Sequence, residues 1–340
     1  MATIKDVARV AGVSTSTVSH VLNQTRYVSD EIQQRVQQAV KQLNYAPSAV
    51  ARSLKVNTTR TFGMLVTVSS NPFFSELVRA VEHTCFQQGY HLILCNTEGD
   101  PQRLHNHLQL LLQRRVDGLL LMCTEAQQQV FADFGGNLPV PTVVMDWGPL
   151  HPQLDRIQDN SLLGGYLAAK HLLELGHRHL GCFIGPQDKQ PARERWQGFQ
   201  QAMAEYQLPI RPEWVLSGEF DCASGYQAMQ QLLQLTERPT GLCIGNDMMA
   251  MGALSAAQEA GLRLPQELSI VGYDDIPFAR YLSPSLTTIH QDTERLGQTA
   301  VALLLQRLQE HHSLEAGQVQ QITPHLVVRG STCAPSERQR

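Results

Sequence analysis

IKDVARVAGVSTSTVSHVLN, residues 4–23, decides how the front of this chain folds. Ile4, Val7, Ala8 and Ala11 recur at helical spacing and give a first short helix one apolar face. Thr3 stands before it with Asp6 three residues on, which marks a helix start. Gly12 follows the last apolar residue and suits the left-handed conformation that ends a helix. Ser14 then offers a cap for a second helix with Val18, Val21 and Leu22 as its apolar positions. The start of that helix is crowded with small polar groups: Thr15, Ser16, Thr17, Ser19 and His20. A helix packed in a core has no use for them. A helix in the DNA major groove does, because its first residues must hydrogen-bond base edges without bulk. The pattern therefore predicts a helix-turn-helix; an ordinary capped helical hairpin is the competing reading.

Working outward, Ile32, Val36, Ala39, Val40 and Leu43 form the stripe of a third helix from about Glu31, with Ser29 placed to cap it. Residues 1–46 then make an all-α headpiece, closed by Asn44-Tyr45-Ala46-Pro47. Residues 47–60 read as a hinge helix and linker. Ser48 to Lys55 favour a helix of about two turns, which is marginal alone in water. Docked on DNA, Leu54 is placed to wedge between base steps in the minor groove, with Arg52 near the backbone. A plain linker is the other reading of this segment.

The charge distribution agrees with a DNA-facing front. Residues 1–60 hold eight Lys or Arg against three acids, a balance of +5, while the remainder, with 19 basic and 28 acidic residues, stands at −9. A basic head on an acidic body fits phosphate contact at one end only. Seven cysteines without a CxxC spacing argue for a reducing compartment and against a disulfide framework or zinc site. No apolar signal core or membrane span is visible, so the expected location is the cytosol, with no membrane partner.

From Thr61 the texture changes. Apolar runs at 62–68, 91–95, 118–123, 142–145, 179–184, 241–244 and 268–271 alternate with amphipathic helices near 72–88, 102–114, 160–175, 192–206, 221–235 and 246–260. Alternation of this kind means parallel sheets with helices on both faces. The number of elements calls for two doubly wound α/β subdomains within 61–330, with a break near Gln158. The 331–340 tail is expected to be disordered; it lacks the leucine heptads of a coiled coil. Such sheets bind ligands at the carboxyl ends of their strands, so a cleft between the subdomains is the expected site. The polar and aromatic residues there are Asn71, Phe73, Phe74, Asp146, Trp147, Arg193, Arg195, Phe220, Asn246, Asp247, Asp274, Asp275 and Gln291. Carboxylate, guanidinium and amide groups satisfy vicinal hydroxyls in pairs, and aromatic faces cover a sugar's C–H surfaces. Asn71, Asp221, Asn246 and Asp274 could each instead be a helix cap.

Phosphate-loop, GxGxxG, GxSxG and HExxH motifs are all missing, and no cofactor is expected. An enzyme acting on sugars therefore lacks support. A sugar-transport receptor is opposed by the basic head.

IKDVARVAGVSTSTVSHVLN, NYAPSAVARSL (44–54) and SIVGYDDIPFARYLSPSLTTIHQD (269–292) resemble the lac repressor family of bacterial transcription regulators along essentially the whole chain. NPFFSELVRAVE (71–82), IQDNSLLGG (157–165) and GNDMMA (245–250) carry a closer likeness to the family's ribose-responsive members. The resemblance implies a core like that of periplasmic sugar-binding proteins. It places base contacts on Thr15, Ser16 and His20, phosphate contacts near Ser14, Thr17 and Ser19, and the minor-groove leucine at Leu54. Ribose sites of this fold imply effector contacts at Asn71, Phe73, Phe74, Asp146, Arg195, Phe220, Asn246, Asp274 and Gln291; Trp147 stands where those proteins carry an Arg. The implied partners are a near-palindromic operator, a second copy of the chain, and ribose as the effector that releases DNA. The rival is a purine-responsive, corepressed member. Its purine pocket resembles a pattern with Arg and Thr where this chain has Lys189 and Pro191, which cannot make the same contacts.

Overall fold

The computed structural model describes residues 2–46, 58–123, 138–146, 148, 153–310 and 317–336. The proposed hinge helix, with Arg52 and Leu54, lies outside them, as does Trp147. The chain forms two compact units, residues 1–59 and 60–340.

The first unit holds α1 (Ile4–Ala11), α2 (Thr15–Asn23) and α3 (Asp30–Gln42). Thr3 and Asp6 cap α1 reciprocally, and Gly12 ends it with φ 64°. Ser14 caps α2 by accepting from Thr17 N–H. Ser29 precedes α3 but makes no side-chain cap bond; Asp30 and Glu31 in the first turn supply the negative charge instead. Val7, Ala8, Ala11, Val18, Val36 and Ala39 form the buried centre of the three helices. Arg35 donates to the Ala11 carbonyl at 2.5 Å, tying α3 to the free end of α1.

The second unit contains two six-stranded sheets of matching order. In the first, β2 (His91–Asn96), β1 (Thr61–Val66), β3 (Gly118–Met122), β4 (Thr142–Met145), β5 (Asp155–Asp159) and β11 (Val319–Ile322) lie side by side, all parallel. In the second, β7 (Val215–Ser217), β6 (Leu180–Ile184), β8 (Gly241–Ile244), β9 (Ser269–Asp274) and β10 (Thr287–His290) repeat the arrangement in parallel, and β12 (His325–Val327) closes it antiparallel. β3, β4 and β8 are buried along their whole length, as strands covered on both faces must be.

The connecting helices are α4 (Pro72–Gln87), α5 (Pro101–Gln113), α6 (Ser161–Glu174), α7 (Gln190–Glu205), α8 (Cys222–Leu233), α9 (Asp247–Glu259) and α10 (Thr293–Gln309). The chain passes from one sheet to the other after β5, as the break near Gln158 predicts. It returns between β10 and α10, and crosses again between β11 and β12. α10 belongs with the first sheet: a Cβ at its Gly297 would come within 2.9 Å of Ala80 on α4.

The expected disordered tail needs correction at its start. Ser331 is buried; its hydroxyl accepts from Thr287 N–H at 2.8 Å and donates to the Ile270 carbonyl at 2.6 Å. Cys333 N–H donates to Ser269 Oγ at 3.0 Å. A composition rich in Ser, Pro and charge hides this, because the holding bonds come from β9 and β10. Among the described residues no helix is long and apolar enough to cross a membrane, and none of the seven cysteines forms a disulfide.

Candidate functional site

Two regions bear on function, one in each unit. On α2, Ser14, Thr15 and Ser16 are exposed and Thr17, Ser19 and His20 are half-buried. The Ser14 hydroxyl lies 2.7 Å from Ser16 Oγ and 2.8 Å from Thr17 Oγ1, so the head of the helix is a cluster of mutually bonded hydroxyls. His20 Nδ1 lies 2.9 Å from Thr25 Oγ1, which fixes the ring and leaves Nε2 out of that bond. Asn23 donates back to the Ser19 carbonyl at 2.8 Å. Val18 alone on this helix is fully buried, so the polar positions are turned away from the three-helix core. That is the disposition base reading requires.

In the second unit the strand ends build a buried polar site. Asp146 follows β4, Asp274 ends β9, Asn246 follows β8, Phe220 follows β7, Gln291 follows β10, and Arg195 projects from α7. Helix α7 approaches α6 closely. A Cβ on Gly165 would come within 2.1 Å of the Arg195 carbonyl, so glycine there lets the backbone bearing Arg195 come in. The Arg195 guanidinium carbon sits 5.6 Å from the centre of the Phe220 ring. Nη1 donates to the Gly245 carbonyl at 2.7 Å and lies 3.6 Å from Asp274 Oδ1. Gln291 Nε2 donates to that same oxygen at 2.7 Å, and Asn246 Nδ2 donates to the Phe220 carbonyl at 3.0 Å. Asn246 also caps α9 through Met249 N–H at 2.9 Å, so the cap reading holds for its oxygen.

Asn71, Phe73 and Phe74 begin α4, at the same strand-end edge of the first sheet as Asp146. Asn71 caps that helix through Phe73 N–H, and the two Phe rings meet edge to face at 5.6 Å. Asp275 turns away from Asp274. It accepts from Arg329 Nη2 at 2.6 Å and pairs with His290 Nδ1 at 2.9 Å, a structural role. Asp247 is wholly buried and Arg193 is exposed, bonded to the Gln187 carbonyl.

Two groups that sequence reasoning missed complete the site. Asp159, at the end of β5, donates its N–H to Asp146 Oδ1 at 2.9 Å, and its Oδ2 accepts from the Tyr273 hydroxyl at 2.7 Å. The period-two pattern of buried Asp155, Ile157 and Asp159 is the signal that marks β5, overlooked because its other residues are polar.

Backbone and electrostatics both set this site apart. Asp146, Phe220 and Asp274 hold φ of 24°, 62° and 111°, conformations that cost non-glycine residues about 1–3 kcal/mol each. Burial pushes the Asp146 carboxyl up to about 6 and those of Asp159 and Asp274 up to about 7; the Arg195 charge pulls all three back. Among the described residues Asp146 Oδ2, Asp159 Oδ1, Arg195 Nε and Nη2, and Gln291 Oε1 are buried without a hydrogen-bond partner, as are Gln158 Oε1 and Ser161 Oγ. So many orphaned polar atoms in one place mark a site built for a polar ligand.

Residues 3–48 match the bacterial regulatory proteins of the lacI family, and residues 169–332 match the periplasmic binding protein-like domain. The chain is 50% identical over 331 residues to the HTH-type transcriptional repressor PurR of Aliivibrio salmonicida, spanning 97% of this chain and 99% of that one. It is 51% identical over 331 residues to the ribose operon repressor of Escherichia coli, spanning 97% and 100%. The lac repressor dimer bound to operator and the anti-inducer ONPF superposes with a TM-score of 0.88 at 32% identity, covering 98% of this chain and 99% of that one. A LacI family regulator from Enterococcus faecium with bound ribose gives 0.72 at 31% identity, covering 81% and 99%.

Proposed function

The chain belongs to the lacI family of bacterial regulatory proteins and is a DNA-binding repressor of that family, and on this premise we propose that ribose, held in the cleft between the two sheets, releases it from its operator. It acts as a homodimer on a near-palindromic site, one α2 per half-site. Thr15, Ser16 and His20 read bases, with Ser14, Thr17 and Ser19 near phosphates. Leu54 enters the minor groove, with Arg52 near the backbone.

The observation that carries the ribose reading is the set of orphaned atoms. Among them are three acceptors on the site residues Asp146, Asp159 and Gln291 and two guanidinium nitrogens of Arg195. A pentose brings a hydroxyl proton for every one of these acceptors and oxygens for the guanidinium; hypoxanthine brings two N–H groups for three acceptors, whereas guanine, with four, matches them in number. The second reading is a purine corepressor. The names of the relatives favour it, since PurR is the name borne by similar chains from Aliivibrio, Haemophilus and Photobacterium alike. Against it, Lys189 pairs with neighbouring Asp188 at 3.2 Å, and Pro191 has no hydroxyl to offer.

The only driving force available to the effector is its differential affinity for the DNA-competent and released states. The two readings therefore differ in sign. Fluorescence anisotropy on a duplex selected from random sequence decides between them. Ribose lowering DNA affinity supports the first. Hypoxanthine or guanine raising it transfers the function to the second, and no response to any of them defeats both.

A further inference from the structure

The Tyr273 hydroxyl reaches from β9 of the second sheet to Asp159 on β5 of the first, and the Asp159 N–H in turn meets Asp146. Two buried carboxylates thus stand side by side, each with one oxygen unfilled. Two other buried acids, Asp247 and Asp155, are different. Asp247 accepts from the Thr288 hydroxyl on Oδ1 at 2.6 Å and from Ile276 N–H on Oδ2 at 2.9 Å. Asp155 takes both arms of Arg307 at 2.7 Å each and Gln318 N–H at 2.8 Å. Acids that serve the fold have both oxygens filled. An acid buried with an empty oxygen costs stability until something fills it.

We propose that Asp159 is a further effector-binding residue, accepting a hydroxyl of the effector beside Asp146, and that Tyr273 is the positioning residue that aims it. The inference rests on the reading of the cleft as the effector site. A Cβ on Gly164 would lie 2.1 Å from the Tyr273 hydroxyl, so α6 carries glycine where that hydroxyl passes. The Tyr273 ring is held from its face by Arg195 at 3.6 Å, which leaves the hydroxyl one direction. With Oδ2 occupied by Tyr273, Oδ1 is the oxygen left for a ligand. The charged groups facing Asp159 are Asp146 and Asp274, which favour its protonated form, and Arg195, which with the Tyr273 hydroxyl favours the ionised form.

Calorimetric titration of the full chain with ribose, at pH 8 and pH 6.5, tests this alongside thermal unfolding without ligand. Asp159→Asn is expected to weaken ribose binding about tenfold or more, the worth of a hydrogen bond to a charged group. It should leave the ligand-free melting temperature unchanged or raised, because an unfilled buried charge is gone. Tyr273→Phe should weaken binding about threefold and move the pH midpoint of binding upward, since the ionised carboxyl loses a donor. If hypoxanthine binds the wild type instead, the same losses must appear with hypoxanthine. Wild-type affinity in Asp159→Asn, or a lower melting temperature with affinity intact, overturns the proposal by making Asp159 a residue of the fold. A wild type that binds neither molecule overturns the cleft reading itself, and this assignment with it.

Discussion

The guanidinium of Arg195 lies 3.6 Å over the ring of Tyr273, sealed from solvent. Charge alone does not explain that pairing: a flat cation on a flat ring is a fit that an ammonium cannot repeat. Arg195→Lys keeps the charge but loses the stacking and the reach to the Gly245 carbonyl and Asp274. It should cost about 1–3 kcal/mol of stability and weaken the effector at least tenfold, read by thermal unfolding and calorimetry. Full effector affinity in that variant would remove Arg195 from the site.

The raised carboxyls set a pH dependence of definite sign. Asp146 at about 6 and Asp159 and Asp274 at about 7 hold protons in the folded state that the unfolded chain, with aspartates near 4, has already released. Their contribution is full at and below about pH 4 and is lost as pH climbs through 6 and 7. His290, raised chiefly by its hydrogen bond to Asp275, adds in the same direction. The ligand-free protein should therefore melt lower at pH 8 than at pH 6. Effector affinity should run the other way, because an ionised carboxylate accepts the effector's hydroxyl protons more strongly than a neutral carboxyl does. Melting curves and titrations across that range check both slopes; parallel trends would contradict the account.

Ser331 holds the end of the chain against two strands. Ser331→Ala leaves the Thr287 N–H and the Ile270 carbonyl buried without their partner. The expected loss is about 2–4 kcal/mol in denaturant unfolding. A loss below 0.5 kcal/mol, as at a free surface position, would return the segment to the disordered class that composition alone suggests.

In the headpiece the capping and DNA-contacting roles at the start of α2 can be separated by mutation. Ser14→Ala removes the cap of α2 and should cost about 1 kcal/mol of headpiece stability as well as DNA affinity. Thr15→Ala touches no internal bond described above, so the fold should stay while operator affinity falls by about 1–3 kcal/mol. Anisotropy on operator and on scrambled duplex distinguishes them: a Thr15→Ala loss of equal size on both would make Thr15 a phosphate contact.

Much of this was legible in the residues. The first two helices of the headpiece announce themselves through Thr3, Gly12 and Ser14, since capping is local chemistry. The strands rich in Val, Leu and Ile announce themselves because parallel sheets bury both faces. The polar strand β5 and the short β7, β11 and β12 did not, because they are too polar or too short to show an apolar run. Asp159 and Tyr273 escaped because their contact is long-range: 114 positions separate a hydroxyl from the carboxylate it serves. Tyr273 also sits within an apolar strand, where its ring reads as core and its oxygen goes unnoticed. Nor does local sequence reveal that Ser29, a fitting cap by type, leaves its side chain out of the cap.

Because the polypeptide travels between the sheets three times, neither half corresponds to one continuous stretch of coding sequence. Cutting the gene at any single junction yields pieces that must reassemble rather than two self-sufficient lobes.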